Sequence, residues 1–380
     1  MPNSMPKRVI YIASPELFSR GASAIHVMKM CQAMARLGIE VELVLPSFDN
    51  REKIFQYYNV EPGFKLTVFP FIPISSARHI GHGVLSSIYT RINRKKIDLV
   101  LTRNIFYTYL ATGYLRIPTI YDAHHPLVRG AHFFFNSLKR SKYLIRFSTN
   151  SRGLAEVYLK LGLPEEKLRV APNGVNLEDF REISSKEEAR RRIGLPLDKK
   201  VVCYSGNSYG GRGIELLIDA ALRFKEALFL IVGGLDSDIQ NYETIARGKN
   251  VDNFIFAGFV PHKDVPLYIS SADALVIPYT SLMTIKGGTT AAEFTSPIKL
   301  FEYMASHRPI VATSLPSIKE VLEHGSNAFL VEPNDPEQLV KGIKIVLEDD
   351  TLATKLAVQA ASDVKKYTWE ERVRKILSDL

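Results

Sequence analysis

Short apolar runs recur along the chain, and each is followed by turn-forming text and then a segment of helical period. "RVIYIAS" (8–14) leads into the turn "PELFSRGASA" and then "IHVMKMCQAMARLG", where Ile25, Met28, Cys31, Gln32 and Ala35 keep the helical spacing. Gly38 stops that helix, and "VELVLP" (41–46) follows as the next strand. The strands are apolar throughout rather than alternating, which predicts a parallel sheet covered on both faces. Further strands are expected in "KLTVFPF" (65–71), "DLVLTRN" (98–104), "PTIYDAH" (118–124), "LIRFSTN" (144–150) and "LRVAPN" (168–173). The second half repeats the pattern: "KVVCYSG" (200–206), the Gly-rich turn "NSYGGRG" and the helix "IELLIDAALRF". "LFLIVGG" (228–234), "FIFAGFV" (254–260), "ALVIPY" (274–279), "PIVAT" (309–313) and "AFLVE" (328–332) complete it.

This pattern predicts an α/β protein of two doubly wound, Rossmann-like domains, each with a ligand crevice at the C-terminal ends of its strands. The join falls near "APNGVNLEDF" (171–180), just before the charged helix-like stretch "SSKEEARRRIG". Three helical stretches close the chain, "PEQLVKGIKIVLED", "LATKLAVQAASDVKKY" and "TWEERVRKILSDL", the last carrying Trp369, the only tryptophan. The expected boundaries are 1–170 for the first domain, 171–365 for the second and 366–380 for a final helix that caps one of them.

Composition narrows the classes. At 380 residues and 46% hydrophobic content, two domains with cores of their own are expected. No apolar run approaches the roughly 20 residues of a membrane span, and no export signal is recognised, so a cytoplasmic protein is expected. Cys31 and Cys203 suit neither a disulfide framework nor a zinc site. Charge is uneven: residues 1–170 hold 24 Lys/Arg against 11 Asp/Glu, and residues 171–380 hold 25 against 29. A basic first half calls for an anionic partner. From charge alone that partner is a nucleic acid, a membrane surface or a phosphorylated substrate.

The sharpest chemical signal is in "SPIKLFEYM". Ser296 reads as a helix N-cap, Pro297 as the first helical residue and Lys299 as a first-turn residue. The positive end of a helix favours an acid, so a lysine there is either a solvated surface residue or a ligand for an anion seated on the helix. In the second case Ile298 and Lys299 supply the backbone donors, because Pro297 has no N–H. "SGNSYGGRG" (205–213) is a second anion-loop candidate, with Arg212 as a bidentate donor. It fits neither the dinucleotide nor the P-loop fingerprint. Gly21 is a third close-approach glycine.

"YDAHHP" (121–126) sets Asp122, His124 and His125 at a strand's C-terminal end, with the two imidazoles on opposite sides. "DSD" (236–238) invites a metal, but acids also simply suit a first helical turn. No His/Cys cluster has ligand spacing, so no metal is expected. In "RGAHFFFNSLKRSKYLIR" (129–146), Phe133, Phe134 and Phe135 with Arg140, Lys142 and Arg146 form either a membrane or acceptor contact, or core residues with solvated charges.

Together these segments resemble the GT-B glycosyltransferases of glycosyltransferase family 4, nearly end to end and most closely over 165–335. "LRVAPNGVNLEDF" is similar to the inter-domain signature, "YSGNSYGGRGIELLIDAA" to the strand–phosphate loop–helix, and "FIFAGFV…LYISSADALVIPY" to the segment beside the base. "SPIKLFEYMASHRPIVATSLPSIKEVL" resembles the SPxKLFEYM variant of the donor motif. The resemblance implies two Rossmann-like domains facing across a cleft, with the final helix crossing back to the first. It implies retaining transfer of a sugar from a nucleotide diphosphate, UDP first and GDP second, with no cofactor or metal. Residue by residue, Glu302 takes the ribose hydroxyls, Lys299 and Arg212 the diphosphate, and the Val260 backbone lies by the base. Gly21 admits the donor to the first domain, and His124 sits beside the sugar. Gly206, Ser296 and Ile298 line the donor site.

Two departures stand out. The position after Gly206, often arginine in the family, is Asn207, so Lys299 is expected to replace the missing cation. The usual earlier glutamate is Phe294, with Glu293 one residue off.

No carboxylate pair at glycosidase spacing is identifiable, so no protein nucleophile is expected. The implied partners are a nucleotide-sugar donor, a carbohydrate or lipid-linked acceptor and an anionic membrane surface at the inner face, not nucleic acid. Surface polysaccharide or glycolipid assembly fits. The rival readings are a nucleotide-sugar 2-epimerase, a non-catalytic nucleotide-sugar-binding protein and, furthest from the motifs, a nicotinamide oxidoreductase.

Overall fold

The computed structural model describes residues 5–69, 78–128, 130–181, 185–284 and 291–380. It divides into two units, one of Met1–Pro172 with Trp369–Leu380 and one of Asn173–Thr368. In the first unit, strands β1 (Arg8–Ile12), β2 (Glu40–Leu45), β3 (Lys65–Val68), β4 (Leu99–Thr102), β5 (Thr119–Ala123), β6 (Leu144–Thr149) and β7 (Leu168–Val170) form one sheet. Its order is β3-β2-β1-β4-β5-β6-β7. In the second, β8 (Lys200–Ser205), β9 (Ala227–Val232), β10 (Phe254–Gly258), β11 (Ala274–Ile277), β12 (Ile310–Thr313) and β13 (Phe329–Val331) run in the order β10-β9-β8-β11-β12-β13. Every recorded pairing is parallel. The unbroken apolar strands are buried as their composition demands: β4, β5, β9, β11 and β12 have no exposed residue. In both sheets the order reverses beside the first strand, at β1/β4 and at β8/β11, and ligands of such sheets bind outside that reversal.

Helices cover the sheets. The first unit carries α1 (Ala22–Arg36), α2 (Ile54–Tyr57), α3 (Arg78–Ile92), α4 (Ile105–Leu110), α5 (Ala131–Leu138) and α6 (Arg152–Lys160). The second carries α7 (Lys186–Ile193), α8 (Ile214–Arg223), α9 (Asp236–Gly248), α10 (Val265–Ser270), α11 (Ile298–Ala305), α12 (Pro316–Lys319), α13 (Pro336–Glu348) and α14 (Asp350–Asp363). The returning segment forms α15 (Trp369–Leu377), which packs on α1 of the first unit.

Helix starts follow local chemistry. Asn104, Ser151, Ser185 and Asp335 each accept a first-turn N–H of α4, α6, α7 and α13. Helix α7 has Glu187 and Glu188 at its start and Arg190, Arg191 and Arg192 at its end, as the dipole prefers. Helix α11 breaks this rule. It has no acid in its first turn and no side-chain cap. Ser296 is therefore not the N-cap that the sequence suggests. Pro297 takes that position with an extended backbone, and Ser296 is engaged elsewhere: its hydroxyl accepts the Asn173 N–H at 3.1 Å and its carbonyl the Asn173 amide at 2.6 Å. Helix α3 is not among the elements that the sequence pattern predicts.

Candidate active site

The second unit gathers the donor-motif residues at the β8/β11 reversal. Lys299, second residue of α11, points its ammonium under the loop that leaves β8. Its Nζ lies 3.6 Å from the centroid of the Tyr204 ring and 5.4 Å from that of Tyr279. It is buried and makes no hydrogen bond among the described residues. Gly206, at φ +118°, makes room: a Cβ there would lie 2.7 Å from Lys299 Nζ. The lysine thus sits against the glycine that precedes Asn207, where the expected loop cation is missing.

Arg212 is held in an aromatic cage. Its guanidinium carbon lies 4.8 Å from each of the Tyr209 and Tyr279 ring centroids. Nη2 donates to Tyr209 Oη at 2.9 Å, Nη1 reaches Met283 Sδ at 3.1 Å, and Nε is buried without a partner among the described residues. Tyr279 therefore has two cations within 5.4 Å of its ring centroid. Gly213, at φ +80°, holds the loop tight on β11, since a Cβ would lie 1.9 Å from the Pro278 carbonyl oxygen. Burial, reinforced by Arg212, pushes the Lys299 ammonium well below the ordinary lysine range, and Glu302 only partly offsets this.

Glu302, one turn along α11, is buried and shares a 2.9 Å hydrogen bond with His262 Nε2. His262 was not anticipated: it lies 40 residues from Glu302 and carries no motif of its own. Val260 is half-buried in the segment after β10. The Asn207 carbonyl accepts the Tyr204 hydroxyl at 2.5 Å. The Asp-x-Asp stretch opens α9, and Asp238 accepts the Ser208 hydroxyl of the loop at 3.1 Å. Phe294 is buried and Glu293 exposed.

In the first unit the end of β5 holds a buried ionic cluster. Asp122 accepts from Arg372 Nη2 at 2.7 Å through one oxygen. Its other oxygen meets His124 Nε2 at 2.9 Å and His26 Nε2 at 3.2 Å. Arg372 also donates to the Pro172 carbonyl at 3.1 Å. His26, Asp122 and His124 bring three ligand-type atoms within 4.8 Å of one another, but the Arg372 guanidinium already supplies the cation at this carboxylate. His125 turns the other way, exposed and bonded to Pro126 O. Gly21 stands before α1 at φ −90° and ψ 140°, a backbone any residue adopts.

The 129–146 stretch divides. Phe135 is not a surface contact: it is fully buried against Phe147 and Tyr158 because its side of α5 faces the sheet. Arg146 is not solvated either, and donates to the Ile376 and Ser378 carbonyls at the end of α15. Phe133 is exposed, Phe134 half-buried, and Arg140 and Lys142 are exposed.

Burial favours protonation of Asp122, but Arg372 and the two imidazoles override it and hold the carboxyl well below the ordinary range. Burial pushes the His26 imidazole down to about 4 against the opposing Asp122 hydrogen bond. It also lowers His124, with help from Arg103. Both imidazoles are thus neutral near pH 7 and donate Nε2–H to Asp122, a tautomer set by the network.

An acid-labile first unit follows. Between pH 6.5 and about 4 the unfolded chain binds a proton on His26 that the folded chain does not, so stability falls as pH falls through that window. The loss expected from His26 by pH 4 is on the order of 3 kcal/mol. Trp369, the only tryptophan, lies 5.2 Å from the His26 ring, so its fluorescence in urea titrations reads this unit. Equal unfolding midpoints at pH 7 and pH 5, or an unchanged pH slope in His26→Gln, would refute the assignment.

Residues 23–179 match the family model described as Glycosyltransferase Family 4, and residues 185–363 that of Glycosyl transferases group 1. The chain is 25% identical over 379 residues to an uncharacterized glycosyltransferase of Methanocaldococcus jannaschii, covering 92% of this chain and 91% of that one. It is 23% identical over 372 residues to the N,N'-diacetylbacillosaminyl-diphospho-undecaprenol alpha-1,3-N-acetylgalactosaminyltransferase of Campylobacter jejuni, covering 91% and 92%. Among solved structures, Anabaena HepE in complex with UDP superposes with a TM-score of 0.76 at 17% identity, over 98% of this chain and 100% of that one. The two consecutive family matches, on two parallel-sheet units of this topology, make the chain a glycosyltransferase of the GT-B fold.

Proposed function

We propose that the protein is a retaining glycosyltransferase that moves a sugar from a UDP-sugar to a hydroxyl of a lipid-diphosphate-linked acceptor at the inner membrane face, in surface polysaccharide or glycolipid assembly. One observation carries the donor half: Lys299, a buried ammonium without a hydrogen-bond partner among the described residues, lies at the N-terminus of α11 and at the reversal of the sheet. An ammonium so placed is costly until an anion meets it. A diphosphate fits, held by Lys299, Arg212 and the first amides of α11 without a bound metal. Glu302, steadied by His262, takes the ribose hydroxyls, and the Val260 backbone the base. UDP is favoured because HepE, a structural neighbour, is described in complex with UDP, and the acceptor class because the Campylobacter relative is named for one.

The bond between the anomeric carbon and the phosphate oxygen breaks while the acceptor oxygen bonds to the same face of that carbon. The acceptor proton passes to the leaving diphosphate. Lys299 and Arg212 stabilise the charge that develops there. His124 holds its Nε2–H on Asp122, and its Nδ1 exchanges a long 3.5 Å contact with the Asn150 side-chain amide for a sugar hydroxyl, while Gly21 leaves space for the donor.

In a thermal-shift panel, UDP at about 100 times its Kd is expected to stabilise the protein by about 2.7 kcal/mol, with GDP weaker. Incubation of the UDP-sugar that binds with lipid-diphosphate acceptors should yield a glycoside of unchanged anomeric configuration by NMR. An epimerised sugar formed without acceptor would overturn transfer, and binding without turnover across an acceptor panel would leave a binding protein.

A further inference from the structure

Helix α3 is built inside out. Its inward face is small and polar: His82, Ser86, Ser87 and Thr90 are buried. Two of these hydroxyls are satisfied close to home, Ser87 donating to the Gly83 carbonyl at 2.8 Å and Thr90 to that of Ser86 at 2.9 Å. Gly83 lets the helix press on α4, since a Cβ there would lie 2.9 Å from the Phe106 ring. The outward face is aliphatic. Ile80, Val84, Ile88 and Ile92, spaced four apart, are 48%, 40%, 53% and 77% exposed. That spacing draws a single stripe along the helix. An ordinary surface helix carries these two faces the other way round, and scattered exposed apolar residues do not line up so.

Charge indicates what covers the stripe. Arg91, Arg94, Lys95 and Lys96 are exposed at its C-terminal end, and the helix has no acidic residue. Residues 65–155 hold 14 Lys/Arg and only two carboxylates, Asp98 and Asp122. Asp98 is spent on the Lys7 and Arg8 amides, and Asp122 is buried on Arg372. Beyond α4, which packs against both α3 and α5, Tyr114 and Phe133 are 66% and 69% exposed.

We propose that α3 lies flat in an anionic lipid surface, its aliphatic stripe among the acyl chains and its basic end at the headgroups. Fifteen residues make a helix about 22 Å long, enough to lie along an interface and too short to span it. Basic residues beside such a stripe strengthen binding to anionic lipid by about fivefold each. The assignment deepens the lipid-linked acceptor reading, because it names the element that brings the enzyme to such an acceptor, and it rests on that reading only for its purpose.

The test uses the full chain and vesicles of phosphatidylcholine, with or without roughly one-third phosphatidylglycerol, in a sedimentation assay without donor or acceptor. The wild-type chain should bind the phosphatidylglycerol vesicles at least tenfold more tightly, and added salt should weaken binding. Ile88→Asp with Ile92→Asp should lose at least tenfold. Lys95→Gln with Lys96→Gln should lose about 25-fold on the same scale. Unchanged melting and an unchanged UDP thermal shift in each variant would show that the fold and donor site are intact. Equal binding to both vesicle types, no binding to either, or full binding by the aspartate variant would overturn the proposal. So would a wild-type dimer by light scattering that the aspartate variant dissolves, which would assign the stripe to self-association. Failed vesicle binding with an intact UDP shift counts against this docking surface alone, whereas a lost UDP shift with intact vesicle binding counts against the donor reading alone.

Discussion

Lys299→Met lowers kcat/KM for the nucleotide-sugar donor by about 10²–10³-fold, the usual cost of one preorganised group that stabilises leaving-group charge. Methionine fills the space between Tyr204 and Gly206, so no cavity accompanies the loss of charge. The expected signature is unusual. Burial and Arg212 already disfavour the Lys299 ammonium in the empty protein, so removing it should leave the melting temperature unchanged or raise it while activity collapses. A lysine needed only for structure would move both downward.

Proton linkage gives an independent readout. A lysine held below its ordinary range is partly neutral where an exposed lysine is charged. Seating a diphosphate restores the ammonium, so donor binding takes up a proton and affinity falls as pH rises through the window between the free and bound values. Calorimetry in two buffers of different ionisation enthalpy should detect that uptake in the wild type and not in Lys299→Met. Wild-type turnover by Lys299→Met or Lys299→Ala at saturating donor would end the proposed role.

The sheets were legible in the sequence because buried parallel strands need unbroken apolar runs, and no other element competes for "KVVCYS" or "ALFLIV". Lys299 was legible because it breaks a helix-terminus preference that can be seen within nine residues. What stayed hidden depends on distant partners. The bond from Asn173 that takes Ser296 away from the N-cap spans 123 residues, and the one from Arg372 to Asp122 spans 250. His26 and His262 are ordinary histidines until the fold brings Asp122 and Glu302 to them. Helix α3 hid for a different reason. Periodicity identifies a face but not what the face meets, and an aliphatic stripe is normally assigned to the core.

Arg372→Met should destabilise the first unit by ~3–5 kcal/mol, because it leaves the buried Asp122 carboxylate without the cation that holds it ionised. At roughly 2–4 °C per kcal/mol for a domain of this size, the Trp369-monitored transition should fall on the order of 10 °C. Stability alone does not identify the pairing, since any truncation of a buried arginine costs something. The discriminating variant is Arg372→Met combined with Asp122→Asn. Removing both charges restores a neutral cluster, and replacing a buried ion pair as a whole is often neutral, so the double variant should recover most of the lost stability. It should not recover activity if His124 works as proposed. The substituted side chain presents an amide where the carboxylate accepted two imidazole N–H groups, so the His124 tautomer is no longer fixed and its Nδ1 no longer reliably accepts a sugar hydroxyl. Full recovery of both stability and kcat would reduce the cluster to a structural device. Recovery of stability alone would mean that Arg372, from the last helix of the chain, keeps Asp122 ionised and through it orients His124.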